Sequence, residues 1–485
     1  MREDIVFGPG GWQGRLDEDI TEENILLVAH AFIRYLFELH PSSLRITTAI
    51  GFDGRSNSKE IALLIAKTFS ENGIDVLLSS GIIPTPVLSF AVLANGCAAG
   101  IMVTGGDLPS EYNGIEFKGA YGGPLTTDVM AQIGSLLLEK VRGLIELSGT
   151  GKKEIVTVDF LPGYVTRLES LIDFPTLRSF AENPKNNASV LIDSMGGTGQ
   201  TIIEDILVGC GWRAQTLFGT PEKRFFDRCP ESAPANLDAL KYNVKVVGAL
   251  LGVATDGGGS RCGIIDQNGE WLNAQEATLV LLWHLHEHKG WKGRVLKSAF
   301  TTDKVLRAAA DLNIPLTDFG LQFGIDEFIK EKTLLGCFGG GAYCCGSHLP
   351  ECDGILTGLL FAEMIARMTK SLDEIKEGVQ RSFGSVYYSV IDRRFDTSVA
   401  QRLIQTVREF PTHHLALLGK YQLEIDKTGE IFNGLKLRWG DCRWLIVQLL
   451  PFKGVIRLHI EGESDTDLSI ILEACEKYLL PQRFS

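Results

Sequence analysis

Four cysteines and one histidine crowd into one short segment of this 485-residue chain. They are Cys337, Cys344, Cys345, His348 and Cys352. Thiolate and imidazole are ligands that zinc prefers, so the segment is a candidate zinc site. The spacing matches no standard zinc pattern, however, and cysteines often serve only as small buried apolar side chains. Both interpretations, a zinc site and buried thiols, stay open on the sequence alone.

Glycine-rich loops follow several short apolar runs. The chain holds 53 glycines in 485 residues, or about 11%, against a usual level near 7%. Two loops combine glycine with aspartate: residues 104–109 are Thr-Gly-Gly-Asp-Leu-Pro, and residues 256–261 are Asp-Gly-Gly-Gly-Ser-Arg. In α/β proteins, loops at the carboxyl ends of strands carry function, and glycine-rich ones are typical of phosphate cradles.

The order of these loops along the chain resembles that of the α-D-phosphohexomutases, the phosphoglucomutase/phosphomannomutase family. The matching segments cover nearly the whole chain: residues 7–14, 51–58, 84–86, 100–104, 112–115, 237–240, 252–256, 350–355 and 444–457. The resemblance implies that a phosphoserine passes its phosphoryl group to a hexose phosphate. It also implies Mg²⁺ held by carboxylates and basic residues on the distal phosphate.

The loop that carries the phosphoserine in the family, here called the nucleophile loop (residues 104–110), lacks that serine. The family pattern Thr-Ala-Ser-His-Asn-Pro places Gly106 at the nucleophile and Asp107 at the following histidine. No confident catalytic residue remains, and Asp107 is expected to repel a phosphate. Two alternatives are Ser110 as a displaced nucleophile and Asp107 as an aspartyl-phosphate site.

The metal loop (residues 256–261) is altered as well. The family has three aspartates there, whereas this chain keeps Asp256 and has Gly258 and Ser260 at the other two ligand positions. One carboxylate with a hydroxyl is a poor cage for Mg²⁺, which prefers several anionic oxygens. The sequence therefore favours a plain glycine turn between two strands.

The two loops that bind substrate in the family have lost most of their polar groups. In the sugar loop (residues 336–342), two carboxylates and a serine are replaced by Phe338, Gly339 and Gly340. In the phosphate loop of the fourth domain (residues 448–454), Gln448 replaces an arginine of the family, and the basic residues left in the loop and after it are Lys453 and Arg457. Two further basic residues of the family are replaced by Gln13 and Gln322.

Because all four functional loops are altered, the sequence predicts a catalytically inactive homologue without a cofactor. Its role would be to bind, regulate or scaffold a protein partner. The alternative is a divergent mutase or sugar-phosphate phosphatase that acts on hexose phosphates and uses Mg²⁺. That alternative is favoured by the family residues retained at Arg55, Thr104, Asn113, Lys118, Asp256 and Arg261.

Composition excludes several other classes of protein. Apolar residues make up 45% and charged residues 22%, which is typical of a globular protein. The net charge of −13 disfavours a nucleic-acid binder. Glycine and proline interrupt the longest uncharged stretch, residues 76–106, which predicts buried strands and helices rather than a membrane span. Without a signal-peptide pattern, a cytoplasmic protein with reduced thiols is expected.

Strands and helices alternate over the first three quarters of the chain. Residues 46–52 predict a strand, residues 58–73 a helix with a period near 3.6, and residues 75–79 the next strand. Similar units follow from residues 163 and 248, which predicts mixed α/β sheets covered by helices. After residue 372 the chain turns β-rich between two helices.

The predicted fold is therefore α/β with a four-domain phosphohexomutase-like architecture. Three mixed α/β sheet domains precede a C-terminal α+β domain. The predicted boundaries are 1–150, 151–250, 251–371 and 372–485. In the resembling family these four domains surround a central cleft.

Overall fold

The computed structural model describes residues 5–8, 10–40, 45–141, 151–320, 324–394, 422–425, 434–439, 442–450 and 455–478. Four β-sheets follow one another along the chain, and each defines one domain, numbered I to IV. Within the described residues, no helix is long and apolar enough to cross a membrane. The uncharged stretch at 76–106 forms strands and a helix instead.

Domain I contains a six-stranded mixed sheet in the order β1-β5-β4-β2-β3-β6. Its strands are β1 (Gly11–Arg15), β2 (Thr47–Phe52), β3 (Asp75–Ser79), β4 (Ala99–Val103), β5 (Tyr112–Gly119) and β6 (Ile155–Val158). Its helices are α1 (Glu22–Leu39), α2 (Ser58–Glu71), α3 (Thr85–Ala94) and α4 (Thr127–Val141). β6 pairs in parallel with β3, so domain I extends beyond the predicted boundary at residue 150.

Domain II contains a five-stranded mixed sheet in the order β11-β10-β9-β7-β8. Its strands are β7 (Ser189–Asp193), β8 (Arg213–Leu217), β9 (Leu251–Thr255), β10 (Cys262–Asp266) and β11 (Trp271–Leu272). Its helices are α5 (Leu161–Glu169), α6 (Phe174–Glu182), α7 (Ile202–Gly209) and α8 (Asp238–Val247). The predicted boundary at residue 250 is wrong, because β9 pairs in parallel with β7 and completes this sheet.

Domain III contains a four-stranded mixed sheet in the order β13-β12-β14-β15. Its strands are β12 (Arg294–Ser298), β13 (Leu316–Gly320), β14 (Thr333–Cys337) and β15 (Tyr343–Cys345). Its helices are α9 (Ala274–Trp283), α10 (Lys304–Asp311), α11 (Ile325–Lys330), α12 (Gly354–Met368) and α13 (Leu372–Phe383). α13 packs against α9 and α10, so the predicted boundary at residue 372 lies too early.

Domain IV contains an antiparallel sheet in the order β16-β20-β19-β18-β17, followed by one helix. The elements are β16 (Tyr387–Arg394), β17 (Gln422–Ile425), β18 (Gly434–Arg438), β19 (Trp444–Leu450), β20 (Val455–Gly462) and α14 (Asp465–Tyr478). The predicted strands at 444–450 and 455–461 are confirmed, as is the α+β character of this domain.

One apolar cluster joins the first three domains. It contains Val92 of α3, Tyr164 of α5 and Leu335 of β14, all of them buried. Burying apolar surface stabilises a fold by roughly 25 cal/mol per Å². A continuous cluster therefore fixes the three domains relative to one another and holds their strand ends in place.

Domain IV docks on domain III through a buried polar cluster. The carboxylate of Glu461 on β20 accepts hydrogen bonds from the Thr302 hydroxyl at 2.6 Å and from the Trp444 indole at 2.7 Å. Lys436 on β18 is buried, donates to the carbonyl of Ala299 and stacks over the Trp444 ring. Burial raises the pKa of Glu461 to about 7.

This raised pKa predicts a pH dependence of stability. The native state holds the Glu461 proton more tightly than the unfolded chain, where the pKa is near 4.5. Stability is therefore lost as the pH rises from about 4.5 to about 7, by about 3 kcal/mol for this group. Urea unfolding at pH 5 and pH 8 measures the effect. Glu461→Gln should reduce the difference in unfolding free energy between the two pH values. Glu463→Gln changes an exposed neighbour and should leave that difference unchanged. The same difference in both variants and in the unmodified protein would contradict the prediction.

Candidate active site

Three of the altered loops meet at one place in the structure. The nucleophile loop follows β4, and the metal loop follows β9. The amide of Thr85 donates to the carbonyl of Gly258 at 2.9 Å, which ties the metal loop to domain I. The amide of Cys262 donates to the carbonyl of Gly341 at 2.9 Å, which brings the sugar loop beside the metal loop.

Arg55 holds the nucleophile loop through hydrogen bonds to backbone carbonyls. Its guanidinium donates to the carbonyls of Gly106, Leu108, Pro109 and Tyr112, at 2.7 to 3.1 Å. Its Nε lies 3.2 Å from the carboxylate of Asp53, which also accepts the Thr104 hydroxyl at 2.7 Å. The N–H groups of Arg55 that could bind a phosphate are therefore already in contact with backbone carbonyls and Asp53. Arg55 thus fixes the conformation of the loop.

Asn113 is also held by hydrogen bonds within domain I. Its amide nitrogen donates to the Ser56 carbonyl at 3.1 Å and to the Ser58 hydroxyl at 2.9 Å. Its side-chain oxygen accepts the amide of Gly114 at 2.9 Å. The structure therefore uses Asn113 to join β5 to the start of α2.

Gly106 has room for a Cβ at the position of the family's serine. Its φ is +57°, a left-handed conformation that glycine adopts without strain. A Cβ built on it would lie 3.7 Å from Nε2 of Gln13 and 3.9 Å from Oε1 of Glu116, with nothing closer. A side chain at this position would therefore contact an amide and a carboxylate.

Asp107 pairs with the cation of the metal loop. Its Oδ2 lies 3.4 Å from Nη1 of Arg261, and the same nitrogen lies 3.5 Å from Oδ2 of Asp256. Asp107, and then Asp256, raise the pKa of Arg261 above its usual value. The expected repulsion between Asp107 and a phosphate is therefore offset by a guanidinium in contact with its carboxylate. The Asp107 side chain keeps 24% of its surface exposed.

The residues of the metal loop do not fit Mg²⁺. Oδ1 of the fully buried Asp256 accepts the amides of Ser260 and Arg261, at 2.7 and 3.0 Å. Its Oδ2 accepts the Ser260 hydroxyl at 3.2 Å and faces Arg261. Gly258 supplies no ligand, and Arg261 lies against the Oδ2 that a cation would approach. A guanidinium occupies the position between the two carboxylates, while burial raises the pKa of Asp256.

The sugar loop is apolar, crowded at Gly339 and open at Gly340. Gly339 has a φ of +83°, and a Cβ there would lie 2.6 Å from Cβ of Phe300. The ring of Phe338 lies 5.5 Å from the ring of Phe319. Gly340 has open space around it. Phe338, Gly339 and Gly340 therefore offer aromatic surface and room where the family places hydrogen-bonding groups.

Domain IV contributes an arginine that joins it to domain II. Arg457 forms a paired contact with the carboxylate of Glu231 and lies 2.7 and 2.8 Å from the two oxygens of Asp392. Gln448 lies 3.4 Å from His459, whose other nitrogen lies 2.8 Å from the Tyr388 hydroxyl. Lys453 and Gln322 lie outside the described residues.

A cavity of about 740 Å³ opens between domains I, II and IV. Its wall includes Ser110 from the nucleophile loop, Arg228 and Cys229 from domain II, and Arg394 and Arg457 from domain IV. The Cys229 thiol donates to the carbonyl of Asp107 at 3.3 Å, so the cavity adjoins the nucleophile loop. Its volume lies within the range of pockets that hold small molecules.

Lys118 is buried between two carboxylates. Its Nζ lies 2.6 Å from Glu351 of domain III and 3.1 Å from Glu116 on its own strand. Burial alone lowers the pKa of Lys118, but these carboxylates more than offset it and raise the pKa above its usual value. Lys118 therefore stays charged and links domain I to domain III.

Removing this cation is expected to destabilise the protein strongly. Lys118→Met leaves Glu351 buried without its partner, which typically costs about 3–5 kcal/mol. Urea unfolding measures the loss. Adding Glu351→Gln to the first change should recover part of it, because the unpaired charge is then gone. A loss below about 1 kcal/mol in the single variant would contradict the buried pair.

The cysteine-rich segment does not assemble as a zinc site. Cys344 and Cys352 lie in one apolar cluster, whereas Cys337 and Cys345 lie in another. Nε2 of His348 lies 3.1 Å from the carboxylate of Asp353. Across the part of the chain that the structure describes, no three His, Cys, Asp or Glu side chains converge as metal ligands. The segment thus fits the interpretation as thiols packed in the interior.

Sequence reasoning missed four residues that face the site. Glu231 and Asp392 hold Arg457, Glu116 faces the space above Gly106, and Cys229 contacts the nucleophile loop. Of these four, Glu116 could have been predicted from the sequence, because residues 114, 116 and 118 alternate along β5 and so lie on the same face as the retained Lys118. The others lie far from the loops in sequence and meet them only through the domain arrangement.

Three family models match the chain consecutively. They are described as domains I, II and III, each alpha/beta/alpha, of phosphoglucomutase/phosphomannomutase, and they match residues 4–141, 162–269 and 273–382. A probable phosphoglucosamine mutase of Methanosphaera stadtmanae is 26% identical, and a phosphoglucomutase/phosphomannomutase of Thermococcus kodakarensis is 24% identical. Each alignment covers 98% of both proteins. A solved putative phosphomannomutase from Thermus thermophilus aligns with a TM-score of 0.79 at 25% identity, covering 98% of both chains.

These comparisons correct the prediction of a catalytically inactive homologue. The relatives that align from end to end carry the names of mutases. The alternative, a divergent enzyme acting on hexose phosphates, agrees better with that finding. The predicted four-domain mixed α/β architecture is confirmed.

Proposed function

The chain belongs to the phosphoglucomutase/phosphomannomutase family, and we propose that it is a mutase that moves a phosphoryl group between two hydroxyls of a hexose phosphate. In this proposal Asp107 carries the phosphoryl group in place of the family's serine. The observation that carries the assignment is the Asp107–Arg261–Asp256 arrangement at the meeting point of three loops. Full-length relatives named as mutases support the reaction class.

The transfer needs a nucleophile on the nucleophile loop, and a carboxylate can take the place of a hydroxyl. A carboxylate oxygen of Asp107 attacks the phosphorus of a hexose bisphosphate, and an acyl phosphate forms as the bond to the sugar oxygen breaks. The sugar oxygen takes a proton from water and leaves hydroxide. A free hydroxyl of a hexose monophosphate then attacks the acyl phosphate, gives its proton to that hydroxide and releases the Asp107 carboxylate, so that a bisphosphate forms again. After this bisphosphate has reoriented, Asp107 takes its other phosphoryl group, and the isomeric monophosphate leaves. The net change is the position of one phosphoryl group.

Arg261 supplies the positive charge at this site. Its guanidinium contacts both Asp107 and Asp256 and remains protonated, so it neutralises charge on the transferring group. The cavity of about 740 Å³ adjoins the nucleophile loop at Pro109 and Ser110, and its volume is enough for a hexose bisphosphate. Carboxylates already hold Arg228 and Arg457 of its wall.

A second candidate reaction is hydrolysis of the same acyl phosphate. Oε1 of Glu116 lies 3.9 Å from the position that a Cβ would take on Gly106. In this reaction the Glu116 carboxylate accepts the proton of a water molecule that attacks phosphorus. The products differ: hydrolysis releases inorganic phosphate, whereas the mutase reaction yields an isomer of the substrate.

The test starts with the whole chain and glucose 1,6-bisphosphate. Intact-mass spectrometry should detect one phosphoryl group on the protein, and hydroxylamine should remove it because an acyl phosphate is labile to that reagent. Monophosphates of glucose, mannose and glucosamine are then assayed for isomer and for inorganic phosphate. An unmodified protein that produces neither would contradict the proposal. The predicted protein partner stays a prediction and calls for capture from native cells.

A further inference from the structure

Two thiols of domain III touch each other. Sγ of Cys344 lies 2.9 Å from Sγ of Cys352, and both residues are free cysteines. A disulfide bond is about 2.05 Å long, so the sulfurs need to approach by less than about 1 Å to form one. Cys344 lies on β15, and Cys352 lies on the segment between β15 and α12, which leaves only one short connection to adjust.

The two thiols differ in their surroundings. Cys344 is buried beside Leu296 and Phe328, and burial raises its pKa above the usual value. Cys352 is partly exposed and lies close enough to Arg261 to interact with its charge. Because Cys352 is the more exposed of the two thiols, a peroxide in solvent reaches it first. Cys352 is the attacking thiol of the pair and Cys344 the resolving one.

We propose that Cys344 and Cys352 form a redox site at which hydrogen peroxide converts the two thiols into a disulfide that a dithiol reduces again. The Cys352 sulfur attacks one oxygen of hydrogen peroxide, so that a sulfur–oxygen bond forms, the oxygen–oxygen bond breaks and hydroxide leaves. The Cys344 thiol then attacks the Cys352 sulfur, the disulfide bond forms, and the sulfenic oxygen leaves as hydroxide. The two thiol protons convert both hydroxides to water.

This site lies in a segment that holds three domains together. Glu351 precedes Cys352 and accepts hydrogen bonds from Lys118 at 2.6 Å and Ser89 at 3.0 Å, both in domain I. Asp353 follows Cys352 and accepts the Tyr164 hydroxyl of domain II at 2.8 Å. A disulfide there would restrain the segment on which these contacts depend.

The experiment uses the reduced full-length chain and dilute hydrogen peroxide. After alkylation of the remaining thiols, peptide mapping should find one disulfide, Cys344–Cys352, with the loss of two free thiols per chain and their return with dithiothreitol. Cys352→Ser should prevent this loss. Cys344→Ser should leave a sulfenic acid on Cys352 that dimedone traps. Cys442→Ser, a partly exposed cysteine in domain IV, is the matched control and should still form the bond.

Two results would overturn the proposal. One is a peroxide-treated chain that keeps all ten thiols, and the other is a disulfide that joins a different pair. Neither depends on turnover, so the outcome is separate from that of the proposed mutase reaction.

Discussion

Asp107→Asn is expected to abolish the phosphoryl adduct and to lower kcat/KM for the hexose phosphate by at least about 10³-fold. Asparagine has nearly the same size and can still accept a hydrogen bond from Arg261. Its amide oxygen is a poor nucleophile, however, and the side chain carries no charge. The loss therefore falls on the transfer step, and intact-mass spectrometry together with a coupled isomerisation assay measures it.

The comparison needs controls for the nucleophile and for folding. Asp128→Asn changes an exposed aspartate in the first turn of α4 and should keep both the adduct and the rate. Ser110→Ala removes the other candidate nucleophile of the loop and should keep the adduct. Loss of the adduct in Ser110→Ala, with the adduct retained in Asp107→Asn, would assign the phosphoryl group to the serine. Far-UV circular dichroism and urea unfolding check that the variants fold.

Local patterns predicted the elements well but not their grouping. The apolar spacing of residues 58–73 depends only on neighbouring residues, and the helix forms there as α2 (Ser58–Glu71). β9 resembles the first strand of a new unit because a glycine turn precedes it. Its membership in domain II depends on pairing with β7, some sixty residues earlier, and no local pattern encodes that contact. The boundary at residue 250 was misplaced for this reason.

The sequence named the loops of the candidate site but not the contacts between their side chains. The loop pattern identified Gly106, Asp107 and Asp256, and the structure brings the loops that contain them together. From its residue type alone, Asp107 was expected to repel a phosphate. The sequence does not reveal its ion pair with Arg261, because that pair joins two domains. Arg55 and Arg457 looked like remnants of phosphate binding, yet loop carbonyls and carboxylates hold their donors. Such pairings depend on three-dimensional contacts that spacing does not specify.

Arg261→Gln is expected to reduce both stability and transfer. Asp256 is fully buried and would keep only two amides and the Ser260 hydroxyl as partners. Leaving a buried charge unpaired typically costs about 3–5 kcal/mol, which urea unfolding measures. Without the guanidinium, charge on the transferring group is not neutralised, and turnover should fall by about 10²–10³-fold.

The same arrangement predicts that Mg²⁺ is not required. Both oxygens of Asp256 already accept hydrogen bonds or face Arg261, and the other two ligand positions of the loop offer a glycine and a serine hydroxyl. Titration of the protein with Mg²⁺ in a calorimeter should give no stoichiometric binding heat. EDTA should leave the rate of the unmodified enzyme unchanged.

Arg261→Lys separates the structural role of this residue from its role in transfer. Lysine keeps the positive charge near Asp256, so most of the stability should return. Lysine lacks the planar set of N–H donors with which a guanidinium can bind the transferring phosphoryl group while one of its nitrogens contacts Asp107 and Asp256, so turnover should stay low. If the lysine variant regained both stability and full turnover, charge alone would suffice. If the protein bound Mg²⁺ stoichiometrically and lost activity in EDTA, Mg²⁺ rather than Arg261 would neutralise the charge on the transferring phosphoryl group.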